Sequence, residues 1–113
     1  MGMFPDMQPD VPTLDVLDLD PAAPLPDGAT LLDVREQDEW DAGHAPGAVH
    51  IPLGELSVRY GELDAGAPVF VVCRTGGRSA QATRFLVEGV GYDAVNLDGG
   101  MVAWARRGLP VEA

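Results

Sequence analysis

Apolar residues fall along this chain in two alternating rhythms, short unbroken runs and spacings of three and four. The plainest run is Val69-Phe70-Val71-Val72, bounded by Gly66 and Pro68 and too short to span a membrane. It predicts a strand buried on both faces. Beyond Cys73 the rhythm changes: Ala82, Phe85, Leu86 and Val90 recur at helical spacing, while Gln81, Arg84 and Glu88 fall on another face. A helix is expected there, with Arg84 and Glu88 as an i,i+4 pair and Gly89 and Gly91 at its end.

The same reading places a first strand in Pro12 to Leu17, a second in Thr30 to Val34, a short one in Ala48 to Ile51 and another in Ala94 to Leu97. Helices are expected over Glu36 to Ala42, closed by Gly43, over Leu53 to Leu63, and after Gly99-Gly100, where Met101 and Trp104 lie. Pro21, Pro24 and Pro26 exclude a regular helix between Asp18 and Asp27. Strand and helix signals in alternation predict an α/β fold with a mostly parallel central sheet of about five strands and helices on both faces. Residues 1–11 lack periodicity and read as an extended, poorly ordered acidic arm, leaving 12–113 as one domain.

Composition narrows the functional classes. The formal net charge is −11, from 18 acidic residues and 7 basic ones, all arginine, which excludes nucleic acid and anionic membrane as expected partners. Seven acidic residues precede Val34 with no basic residue among them; a solvating surface is the plain reading, and a face for a basic partner the other. The first residues have neither the basic start nor the apolar core of a signal peptide, and a single cysteine agrees with a reducing compartment, so a cytoplasmic protein is expected.

That cysteine lies where α/β sheets bind ligands, at the carboxyl end of a buried strand and facing a helix start. A free thiol has a pKa near 8.5, so only roughly a thirtieth is thiolate at neutral pH; lowering it by about two units takes about 2.7 kcal/mol. A helix amino terminus supplies about 0.3 to 1 kcal/mol. More is needed. Arg74 and Arg78, with the inward N–H groups of a loop turned by Gly76 and Gly77, would form an anion cradle for thiolate and substrate. An inert buried cysteine would explain neither the glycine pair nor two arginines in so acidic a chain. His44 and His50 have no second ligand at metal-binding spacing, so no metal is expected and both read as structural. Asp98 to Met101, at another strand's carboxyl end, should approach Cys73; Met101 and Trp104 could serve either the pocket rim or the core.

Cys73-Arg74-Thr75-Gly76-Gly77-Arg78-Ser79 resembles the active-site loop of rhodaneses, the thiosulfate-type sulfurtransferases. The resemblance extends back through Leu32-Asp33-Val34-Arg35-Glu36, Glu39-Trp40 and Gly43-His44-Ala45-Pro46-Gly47-Ala48 to Ile51-Pro52, and forward through Leu97-Asp98-Gly99-Gly100 to Trp104. It covers residues 12 to 110. It implies that a Cys73 thiolate takes a sulfane sulfur from thiosulfate or a persulfide and passes it to cyanide or a thiol, without a cofactor. Arg74 and Arg78 would hold an anionic donor, Thr75 and the loop N–H groups would hold the persulfide, and Asp33 and Arg35 would be chiefly scaffold. Rhodaneses often carry a helix at the position of residues 18–27, where the prolines here predict a loop.

Two other functions use similar parts. Phosphatases and arsenate reductases also set a cysteine in an arginine-bearing loop, but with five intervening residues, whereas four separate Cys73 from Arg78. The shorter loop suits a sulfur atom better than a tetrahedral oxyanion. A sulfur relay or a non-catalytic interaction module is the remaining alternative, although inactive modules often lack the cysteine.

Overall fold

The computed structural model describes residues 11–113, so the expectation for the arm lies outside the described residues except at Val11, which is buried. Five strands form one sheet: β1 (Thr13–Asp15), β2 (Thr30–Asp33), β3 (Val49–His50), β4 (Val69–Val72) and β5 (Ala94–Asp98). Their order is β1-β5-β4-β2-β3, and all four pairings are parallel. The most apolar strand, β4, is therefore central.

Period-two alternation sorts the sheet's side chains onto two faces. Leu31, Phe70, Val72 and Leu97 pack on one side with Met101, Ala103 and Trp104 of α4 (Gly100–Arg106). Leu32, Val34, Val69, Val71 and Cys73 pack on the other with Leu56 of α2 (Leu56–Arg59) and Ala82 of α3 (Gly77–Arg84). Helices thus cover both faces, as the alternation requires. Cys73 belongs to the α3 side.

Three elements differ from expectation for local reasons. The first strand stops at Asp15 because its carboxylate accepts the Leu17 N–H at 2.9 Å and bends the chain into a 3-10 turn over Val16–Asp18. The expected helix over Leu53 to Leu63 is three pieces, a 3-10 turn at Leu53–Glu55, α2, and another at Tyr60–Glu62. Gly54 and Gly61 stand in the two flanking pieces, where glycine weakens a continuous helix. The helix after Cys73 ends as a regular α-helix at Arg84 and widens into a π turn over Phe85–Gly89, where the Leu86 carbonyl accepts the Tyr92 N–H at 2.7 Å. Residues 19–29 contain neither helix nor strand, in keeping with their prolines. No described helix is long and apolar enough to cross a membrane.

One remaining helix, α1 (Gln37–Ala42), matters for the site. The Glu36 N–H at its start donates to Glu39 Oε1 at 2.9 Å, which fixes the Glu39 carboxylate at the helix's first turn.

Candidate active site

Cys73 follows the last residue of β4, and the four residues from Cys73 to Gly76 turn the chain into α3. Their carbonyls all find donors outside the turn. Met101 N–H donates to Cys73 O at 2.8 Å, Val102 N–H to Arg74 O at 3.1 Å, Gly99 N–H to Thr75 O at 3.0 Å, and Ala80 N–H to Gly76 O at 3.0 Å. With the carbonyls engaged from outside, the amide donors are left to face inward. Gly76 N–H donates to Cys73 Sγ at 3.0 Å.

Two glycines make this contact between loop and α4 sterically workable. A Cβ on Gly100 would fall on the Cys73 and Arg74 carbonyl groups, and one on Gly76, whose φ is +128°, would lie 2.8 Å from Asp98 Oδ1. Asp98 to Met101 therefore does approach Cys73, backbone to backbone. Gly77 is different: its φ is not positive and a Cβ there would meet nothing within 4 Å among the described residues.

The thiol is buried, at 1% exposure. Burial pushes its pKa up, but hydrogen bonds from the Ser79 hydroxyl and from the Ser79, Gly76 and Thr75 N–H groups outweigh it, so the thiol is lowered from its ordinary value. The sequence pointed to the two arginines together with inward loop N–H groups for this stabilisation; the support in the structure is the N–H groups and the Ser79 hydroxyl. Ser79 Oγ lies 3.3 Å from Sγ, 3.1 Å from Gly76 O and 2.6 Å from Asn96 Oδ1. Asn96, on β5 and 3% exposed, is a site residue the sequence reading missed. Its signal was a lone amide inside an otherwise apolar strand, which needs a buried partner.

The two arginines have different surroundings. Arg78 places Nη1 2.6 Å from Glu39 Oε1 and Nη2 2.9 Å from Oε2, a bidentate pair reaching from α3 to α1. This partner holds the Glu39 carboxyl down to about 2. Arg74 is exposed, has no carboxylate partner among the described residues, and lines a cleft of about 340 Å³ with Arg35, Glu39, Met101, Val102 and Val111. Thr75 and Gly77 are exposed on the loop. Arg35 is buried against Asp33, with Nη2 at 2.7 Å from Oδ2 and also 2.7 Å from Gly43 O, so it ties β2 to the end of α1.

Met101 packs in the core and also lines that cleft, whereas Trp104 has only the first of these two roles, with its indole N–H 2.8 Å from Pro110 O. Both histidines are committed to the scaffold: His44 stacks on Trp40 with centroids 3.7 Å apart, and His50 stacks on Trp40 at 4.7 Å. Their ring nitrogens lie within hydrogen-bonding distance of Trp40 O and Arg35 O respectively.

Fold and loop together define an α/β domain built to hold one cysteine sulfur in a ring of donors. Residues 18–107 match the rhodanese-like domain, and the chain belongs to that family. A sulfurtransferase of Allochromatium vinosum is 40% identical over 84 residues, which are 74% of this chain and 78% of that one. The putative sulfur carrier protein YrkF of Bacillus subtilis is 39% identical over 74 residues, 66% of this chain and 40% of that protein. Among solved structures, the rhodanese-like domain protein of Staphylococcus aureus superposes with a TM-score of 0.77 at 29% identity, covering 90% of this chain and 99% of its own.

Proposed function

We propose that this chain is a cytoplasmic sulfurtransferase that moves a sulfane sulfur from thiosulfate or a persulfide to a thiol or cyanide through Cys73. The observation that carries the reading is the Cys73 sulfur itself, 3.0 Å from the Gly76 N–H and 3.3 Å from the Ser79 hydroxyl at the head of a loop whose carbonyls are engaged elsewhere. Such a ring stabilises an anionic sulfur.

In the first half-reaction the thiolate attacks the outer sulfur of thiosulfate. A new S–S bond forms, the donor's S–S bond breaks, and the electron pair leaves on sulfite. In the second, the acceptor's thiolate or cyanide attacks the terminal sulfur and the Cys73 thiolate leaves. Electrons balance without a cofactor. Arg74, exposed beside the loop, receives the donor's anionic end, while Thr75 and Gly76 supply N–H groups. Arg78 and Ser79 hold the loop from α3, Arg78 through Glu39 and Ser79 through Asn96.

The test is the intact mass of the protein after exposure to thiosulfate. A gain of one sulfur atom that disappears on adding cyanide, with matching thiocyanate, supports the reading. No gain with thiosulfate or any persulfide donor overturns it.

A further inference from the structure

The Arg78–Glu39 pair changes the charge a donor meets. Both oxygens of Glu39 are held by Arg78 and one also accepts the Glu36 N–H, so the carboxylate is fixed rather than swinging in solvent. Side-chain exposure is 33% for Arg78 and 26% for Glu39, and Glu39 lines the same cleft as Arg74. A donor approaching the loop therefore meets this carboxylate as well as the guanidinium. Arg35, the other cation on the cleft, is cancelled in the same way by Asp33. Of the three arginines near the site, Arg74 alone remains uncompensated among the described residues. With the Cys73 thiolate counted, these groups sum to zero, and the Asp98 carboxylate against Gly76 adds a further negative charge before a donor arrives.

We propose that Glu39 is a donor-specificity residue: by neutralising Arg78 it biases the loop toward sulfane donors of single negative charge, such as organic persulfides and thiosulfonates, and against the thiosulfate dianion. This deepens the sulfur-transfer reading and rests on it. Each added negative charge on the donor is opposed by one fewer net positive charge than the two loop arginines would give. Glu39 acts through the field it sets and through Arg78, not on the reacting atoms.

Methanethiosulfonate tests this against thiosulfate, because both give up an outer sulfur and leave as an oxyanion while differing by one charge. In the parent and in Glu39→Gln, which keeps a hydrogen-bond acceptor for Arg78 and for the Glu36 N–H, kcat/KM is measured for both donors at low and high salt. The expected result is a rise of about five- to tenfold in the thiosulfate-to-methanethiosulfonate ratio, mostly through KM for thiosulfate, that shrinks as salt is added. Arg78→Gln, which leaves Glu39 uncompensated, should move the ratio the other way, and it serves as the test should Glu39→Gln fail to fold. An unchanged ratio in a folded variant that still forms the persulfide overturns this inference alone. Equal losses for both donors overturn it too, since they mark a positioning role without charge selection. If the parent forms no persulfide with either donor or with any persulfide donor, the sulfur-transfer reading fails and this one with it.

Discussion

The loop that holds Cys73 has two halves, and they are built by different means. From Cys73 to Gly76 its shape comes from backbone: Gly99, Met101 and Val102 N–H groups grip three successive carbonyls, and only glycine fits at 76 and 100. From Gly77 to Ser79 it is the first turn of α3, and what matters there is side chains, the Ser79 hydroxyl on Cys73 and Asn96 and the Arg78 guanidinium on Glu39. The backbone half fixes where the sulfur sits. The side-chain half sets how acidic it is and what charge surrounds it.

Cys73→Ser should separate the scaffold from its function most sharply. Both halves keep their contacts, yet the hydroxyl is too weakly acidic to attack without an adjacent base, so sulfur transfer should vanish while unfolding stays close to the parent's. Thiocyanate production and denaturant unfolding check the two parts. Most of the activity surviving would show that the loop is not organised for the sulfur.

Next in size comes the backbone half. Gly100→Ala sets a methyl against the Cys73 and Arg74 carbonyls at a φ of +58°, so the loop and α4 must part. Strain and overpacking together should cost about 3 kcal/mol of stability, read by urea unfolding, with sulfur transfer falling as well. A variant as stable as the parent would mean that α4 does not grip the loop.

The side-chain half should yield function before stability. Ser79→Ala removes the hydroxyl that helps lower the Cys73 thiol, so its pKa should rise, and alkylation by iodoacetamide at neutral pH should slow about tenfold. The Arg78–Glu39 pair should show in acid. Glu39 is depressed from its ordinary 4.5 to about 2 by the Arg78 guanidinium, so the pair's contribution is full above pH 4.5 and is lost as pH falls toward 2. The stability difference between parent and Glu39→Gln should be about 1 kcal/mol at neutral pH, given solvent screening, and close by pH 2. A gap unchanged across that range would show that the ion pair is not its source.

What sequence showed and missed follows the same division. Runs such as Val69 to Val72 and the spacing of Ala82 and Leu86 reported burial, which is a property of one segment, and so the strands and the place of Cys73 at the end of one were legible. The place of Asp98 to Met101 at a strand's carboxyl end pointed to an approach to Cys73 that the structure has. Partners distant in sequence left no such mark. Arg78 reaches Glu39 across 39 positions and Ser79 reaches Asn96 across 17, so of the two arginines expected beside the loop N–H groups in the cradle, one is exposed and the other is paired. Broken helicity over Leu53 to Leu63 was hidden too, because apolar spacing continues through turns that glycine interrupts.

The smallest effect belongs at the junction of the two halves. Gly76 and Gly77 look alike in sequence, a pair suited to a sharp reversal, but only Gly76 has a positive φ, at +128°, and only there would a Cβ crowd Asp98 Oδ1 at 2.8 Å. Gly77 is already the first residue of α3, exposed, with nothing among the described residues within 4 Å of where a Cβ would sit. Alanine at 77 can adopt the native backbone and restricts the unfolded chain, which favours the folded state by about 0.5 kcal/mol. The Gly76 N–H that meets the sulfur is unchanged by it. Gly77→Ala should therefore unfold at slightly higher urea and keep its sulfur-transfer rate, while Gly76→Ala loses both stability and rate. Measuring the two variants side by side tests where the backbone half ends: a loss at 77 as large as that at 76 would place the boundary one residue later, inside the helix.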